Sequence, residues 1–321
     1  MIGRVRSQGF TPDEFRRICV AALVLVSVIV ITGAAVRLTG SGLGCNDWPN
    51  CNNSKLVDVS SHHAAIEQIN RLFTFVVGLA VVLAALGSWV RRPRRRDLVV
   101  LSTALVAGIP AQGVLGAIVV LTSLNPIAVQ MHFVLSMVLV TIAVLLVIRS
   151  RQPEDVERVG AVAPRTAQMI RMLVAATALA ILAGTVVTGT GPHAGDEKAH
   201  RFTFLSITWA ARLHSAMVWV AIVLAFRLLW SMRHDARERE AIDAPLTAWL
   251  CVAIAQGGVG YLQYASGVPA LLVAVHVTLA TTLWACSVWL WCATSRVSSL
   301  AAESADELRE LVDGRSEEGA D

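Results

Sequence analysis

The chain alternates between long apolar runs and short polar stretches. Eight runs of about 20 residues stand out, at 17–37, 71–90, 97–121, 128–148, 167–190, 207–231, 244–265 and 268–293. At a helical rise of about 1.5 Å per residue, each reaches across roughly 30 Å of hydrocarbon. The first run follows Arg16-Arg17 but is longer than a signal-peptide core and lacks a small-residue cleavage site, so it is expected to remain as a helix. The expected fold is an all-α membrane protein of eight transmembrane helices. Composition agrees: with 55% hydrophobic and 16% charged residues among 321, and a mean hydropathy of +0.62, the chain has more apolar surface than a soluble domain could bury.

The basic residues orient the spans. All 27 Lys and Arg except Arg37, Lys55, Arg71, Lys198, Arg201 and Arg212 fall before the first span, after the second ("RRPRRR"), fourth and sixth, or after the eighth. By the positive-inside rule those segments and both termini are cytoplasmic, in a multi-pass protein of the cell (plasma) membrane whose surroundings are the lipid bilayer. The net charge of +4 thus reports topology, and nucleic-acid binding is excluded. The tail "SSLAAESADELRELVDGRSEEGAD" from Ser298 is acidic and is expected to be solvated.

The sequence repeats. "GAAVRLTGSG" (33–42) is echoed by "GTVVTGTG" (184–191), and "AQGVLGAIVVLTSLNP" (111–126) by "AQGGVGYLQYASGVP" (255–269). Gln112 precedes His132 by 20 residues, and Gln256 precedes His276 by 20. Two pseudo-symmetric four-helix bundles follow, since four spans return the chain to its starting side. The expected division is a cytoplasmic N-terminus (1–16), an N-terminal bundle (17–148) with an outside loop (38–62), a cytoplasmic linker (149–166), a C-terminal bundle (167–293) and a polar cytoplasmic tail (294–321). Glycines 113, 116, 257, 258 and 260 suit close helix packing, or room for a flat ligand.

Ionisable and sulfur-bearing side chains then mark candidate chemistry. His132, His214 and His276 each enter a span one to two turns from its outer end, where an imidazole is costly enough to suggest a function. His214 and His276, on the second and fourth spans of one bundle at similar depth, suit the two axial positions of a haem iron. His193, His200 and His234 fall in loops and are expected to be solvated. Cys45 and Cys51, in "GLGCNDWPNC" of the first outside loop, are placed for a disulfide in an oxidising compartment, as a staple or as a redox-active pair. Cys19, Cys251, Cys286 and Cys292 belong to spans and act as small hydrophobes. Glu67, in "SSHHAAIEQINR", stands at the outer mouth of the second span, with Arg71 one turn on as an ion-pair partner.

Together, the eight spans in two halves, "CNDWPNC", the acid of "IEQINR" and the histidines of "MHF", "RLH" and "AVHVTL" resemble the heme A synthase family, which oxidises a methyl group of heme O to the formyl group of heme A in cytochrome oxidase biogenesis. The resemblance spans roughly residues 17–293. It implies heme b as a cofactor ligated by His214 and His276, heme O as the substrate with His132 as one iron ligand, and Glu67 as the essential acid. Heme O synthase as supplier of the substrate and a homo-oligomeric assembly are compatible with it, while the electron acceptor is left open. One position departs from the family pattern of Glu, two residues, His, Arg: here it reads Glu67-Gln68-Ile69-Asn70-Arg71. Asn70 supplies no imidazole, so either His132 alone holds the substrate iron, with an open or water-filled sixth position, or His63 substitutes. A membrane b-type cytochrome would account for the histidines and the duplication, but has no use for Glu67 or the cysteine loop. A transporter would account for the spans and the repeat, yet almost no charge lies at mid-membrane.

Overall fold

The computed structural model describes residues 10–52, 55–152, 157–233 and 235–298. Arg4, Arg6, His234 and the acidic tail beyond Ser298 lie outside the described residues. Eight helices account for the eight runs: α1 (Pro12–Leu38), α2 (His62–Val90), α3 (Arg96–Leu121), α4 (Pro126–Ser150), α5 (Pro164–Thr190), α6 (Ile207–Ser231), α7 (Ala236–Ala265) and α8 (Ala270–Cys292). Each is long and apolar enough to cross a membrane, and the protein is a multi-pass membrane protein.

Helix starts follow capping chemistry. Thr11 and Glu14 form a capping box ahead of Pro12, and Asn125 caps α4 ahead of Pro126. Ser61 accepts the Ala64 N–H, and Asp235 accepts the Glu238 N–H. These last two caps start α2 and α7 well before the apolar runs at 71 and 244, because hydropathy marks the lipid-buried length while the cap decides where the helix begins. The extension of α2 places Glu67 and Asn70 on regular helix.

In the first four helices, α1 packs on α2 and α4, and α3 bridges α2 and α4, closing a ring. In the second four, α5 packs on α6 and α8, and α8 on α7, but α6 and α7 make no comparable contact, so this ring is open on one side. The two groups meet along α4–α8, α1–α8 and α4–α5. The Trp284 indole crosses this seam to Met137 O (3.1 Å) and Thr141 Oγ1 (2.9 Å).

The two largest clusters of buried apolar side chains both sit away from the disulfide loop. One gathers Phe15, Val81, Leu98, Leu105 and Leu146, and the other gathers Ile170, Leu173, Leu228, Ile242 and Trp249. The end that carries the loops between α1 and α2 and between α5 and α6 has smaller buried apolar clusters, around Cys45 and around Leu124, and that end holds the histidines. The outer helix faces expose large apolar groups such as Phe75 (76%), Ile254 (75%) and Leu271 (76%), as a lipid-facing surface requires. Beyond the helices, β1 (Glu157–Gly160) pairs antiparallel with β2 (Ser295–Ser298), Glu157 opposite Ser298 and Gly160 opposite Ser295. The linker and the start of the tail are thereby joined in a two-stranded sheet that the sequence pattern did not announce.

Candidate functional site

The segment between α1 and α2 folds over the first two turns of α2. Cys45 and Cys51 form a disulfide, and both are fully buried. The Asn52 amide donates to Gly44 O (3.0 Å) and to Asp58 Oδ2 (3.1 Å), while its Oδ1 accepts the Asn46 N–H (3.1 Å). Hydrogen bonds from Ser60 and then Asn52 hold the Asp58 carboxyl below the usual carboxylate range.

Beneath this loop lies Glu67, only 6% exposed. Its Oε2 accepts the Cys45 N–H at 2.8 Å, and its Oε1 accepts Arg71 Nη2 at 2.7 Å and Nε at 3.1 Å. Arg71 also donates to Asn50 O (3.1 Å) and Asp47 O (3.2 and 3.3 Å). The expected i,i+4 ion pair is therefore present and also grips the disulfide loop. Removing either partner outright leaves the other charge poorly compensated in a mostly buried site, so the pair holds loop and helix together. The loop carbonyls of Asp47 and Asn50 had no signal in the sequence, because backbone acceptors in an irregular loop leave no residue pattern.

The three span histidines occupy matched depths: His132 is the seventh residue of α4, His214 the eighth of α6 and His276 the seventh of α8, each about 10 Å along a helix that starts at the loop end. His214 Nδ1 is 2.8 Å from Ala180 O. A carbonyl only accepts, so Nδ1 carries the proton and Nε2 is left with a free lone pair. The rings of His214 and His276 face one another edge-on, with centroids 6.2 Å apart and planes at 72°. Two imidazoles ligating one metal through bonds of about 2 Å place their ring centres roughly 6 Å apart, the spacing seen in this pair. Each histidine lies against a glycine of the neighbouring helix: a Cβ added at Gly184 would sit 3.3 Å from His214 Cε1, at Gly260 3.2 Å from His276 Cε1, and at Gly116 3.6 Å from His132 Cε1. The glycines let ring and backbone approach closely. Among the described residues no three His, Cys, Asp or Glu side chains gather as a protein-only metal centre requires.

Around His132 the partners differ. Gln112 Nε2 donates to Ser136 Oγ (2.8 Å) and to His132 O (3.3 Å). Asn70, one turn past Glu67, has a buried Oδ1 with no hydrogen-bond partner. His63 is exposed, and its Nδ1 is 2.9 Å from the hydroxyl of buried Ser41, which in turn lies 3.0 Å from Thr39 Oγ1. His62 packs edge-on against His63. His200 is exposed as expected. His193 differs from the expectation of a solvated residue: it is half-buried, its Nε2 lies 2.7 Å from Val268 O, and its own carbonyl accepts Arg37 Nε at 2.8 Å. Arg37 Nη2 also donates to Thr188 O (3.0 Å), and Gly42 N to Gly195 O (2.9 Å), so polar bonds tie the two groups of helices at the loop end. Nothing in the local sequence marks these long-range backbone partners.

Comparison with known proteins gives the arrangement a context. A family model for COX15-CtaA, cytochrome oxidase assembly protein, matches residues 16–195. A protein named heme A synthase from Listeria monocytogenes serotype 4a (strain HCC23) is 25% identical over 291 residues, covering 87% of this chain and 95% of its own length. Another of that name from Lysinibacillus sphaericus (strain C3-41) is 32% identical over 120 residues, 37% of this chain and 39% of its own. With more than half of its residues matched by the family model, the chain belongs to the COX15-CtaA family of cytochrome oxidase assembly proteins.

Proposed function

We propose that this protein is a heme A synthase, oxidising the methyl group of heme O to the formyl group of heme A, with the two groups of helices dividing the work. The observation that carries the proposal is the His214–His276 pair, whose 6.2 Å separation and proton-locked His214 suit a bis-histidine haem, beside a third histidine, His132, at the same depth in the other group. In this assignment residues 167–293 form the C-terminal bundle, where His214 and His276 hold heme b, and residues 17–148 form the N-terminal bundle, where His132 binds the iron of heme O. The bundles are related by a pseudo-two-fold axis along the membrane normal, with both termini and the 149–166 linker cytoplasmic in the cell membrane and the disulfide loop outside. A bound b-type haem supplies one-electron redox chemistry. The chain's own residues position and polarise the substrate. Glu67 fixes a carboxylate near the outer rim of the N-terminal site, where it favours positive charge developing at the methyl carbon and can receive a released proton. Arg71 holds that carboxylate and the disulfide loop in one arrangement. His63 lies about two turns, roughly 10 Å, before Asn70 on α2, which favours the version in which His132 is the sole histidine on the substrate iron.

Haem extraction from membranes that make this protein together with a heme O source tests the proposal. Heme A appearing only when the protein is present supports it. A b-type haem with heme O unconverted assigns the chain to the electron-transferring cytochromes and ends the synthase proposal.

A further inference from the structure

We infer that Gln256 is a positioning residue for His276: its amide oxygen accepts the Nδ1–H of that imidazole when Nε2 ligates haem iron. This rests on the assignment of His276 as an axial ligand. A neutral imidazole bound through Nε2 carries its proton on Nδ1, and metal-bound histidines almost always pass that N–H to an acceptor, which orients the ring and makes it a stronger donor to the metal. The fold supplies such an acceptor for His214, in Ala180 O. For His276 no hydrogen-bond partner is in place, and Nδ1 is buried.

The unmatched acceptor is close in the fold. Gly260, against which the Cε1 and Nδ1 edge of His276 packs, lies four residues after Gln256, so the glutamine projects from the same face of α7 one turn away. Its Oε1 is buried and also without a partner. One donor and one acceptor are thus left over in one small region.

The same remainder occurs in the other bundle. Gln112 precedes Gly116 by four residues, Gly116 packs against His132 Cε1, and the two buried atoms without partners are again the glutamine Oε1 and the histidine Nδ1. There the amide's orientation is fixed independently, since Gln112 Nε2 must donate to Ser136 Oγ and His132 O, which leaves Oε1 as the free end. Recurrence of the same pair of atoms at the same 20-residue spacing, with different flanking side chains, argues against an accident of packing. Gln263 Oε1 is a rival acceptor for His276, also buried and without a partner, but the corresponding position of the first bundle, Val119, has no amide.

The full-length protein purified with heme b tests the inference by redox titration. An acceptor on Nδ1–H makes the imidazole more electron-donating and favours ferric iron. Gln256→Met removes the acceptor at similar volume and without changing charge; it is expected to keep the low-spin b-type spectrum while the midpoint potential shifts upward. Gln256→Glu restores an acceptor and is expected to bring the potential to or below the wild-type value. Gln263→Met is expected to leave it unchanged. An unshifted potential in Gln256→Met, a rise in both Gln256 variants, or a shift confined to Gln263→Met overturns the hydrogen bond. Absence of a low-spin b-type spectrum from the wild-type protein overturns the haem assignment itself, before any variant is compared.

Discussion

Replacing Glu67 with glutamine keeps the volume of the side chain and an acceptor for the Cys45 N–H, while removing the charge that faces Arg71. The variant is therefore expected to fold and to retain the haem assigned above to His214 and His276, yet to form heme A slower by about a hundredfold or more, the range for loss of a group acting on charge or protons in the transition state. The ratio of heme A to heme O in extracted membranes measures this, and an unchanged ratio would leave Glu67 as a loop clamp alone. Asn70→His separates the two models of the substrate iron. If His132 is its sole histidine, the new imidazole converts bound heme O toward a low-spin form. If His63 already serves, the spectrum stays as it was and His63→Ala changes it. At this scale the sequence revealed the side chains that bond within one helix or lie at matched depths, such as Glu67 with Arg71 and His214 with His276. It concealed those whose partners are backbone atoms far along the chain. His193 reads as a loop residue because its partner, Val268 O, belongs to a turn 75 residues later.

At the scale of elements, the disulfide loop is held by three devices: the Cys45–Cys51 bond, the Asn52 amide and the Arg71 grip on Asp47 O and Asn50 O. Opening so short a covalent ring costs about 2 kcal/mol in chain entropy, too little to affect insertion of spans driven by their own apolar length. Both thiols are expected to resist alkylation until a reductant is added. Cys45→Ser/Cys51→Ser is expected to insert normally but to make heme A poorly, because Glu67 loses a fixed Cys45 N–H. Wild-type activity in that double variant, measured as heme A per unit of inserted protein, would detach the loop from the chemistry. The eight helices were legible because each apolar run exceeds what any other membrane-compatible structure could satisfy. The early starts of α2 and α7 were legible only through Ser61 and Asp235, and the pairing of "ERVG" with "SRVS" not at all, since a four-residue strand has no periodicity to detect and four helices separate it from its partner.

Among the described residues, the two largest clusters of buried apolar side chains lie away from the disulfide loop, while the loop end combines two small apolar clusters with glycines, histidines and amides. The second ring of helices stays open between α6 and α7, the helices that flank the His214–His276 pair with α5 and α8. In the proposed assignment, the packed half anchors the helices while the loop end takes the two flat ligands. The duplication in sequence pointed to two groups of four helices, whereas the open side follows from helix packing that no single segment encodes. Whether one bundle keeps a resident haem while the other works on a substrate haem is decided by visible spectra and haem extraction on His132→Ala, His214→Ala and His276→Ala made with a heme O source. His214→Ala and His276→Ala are each expected to lose the low-spin b-type spectrum, because iron left with one axial imidazole becomes high-spin, and His132→Ala to keep that spectrum while failing to form heme A. A low-spin spectrum retained in both His214→Ala and His276→Ala, or heme A formed at the wild-type level by His132→Ala, would contradict this division.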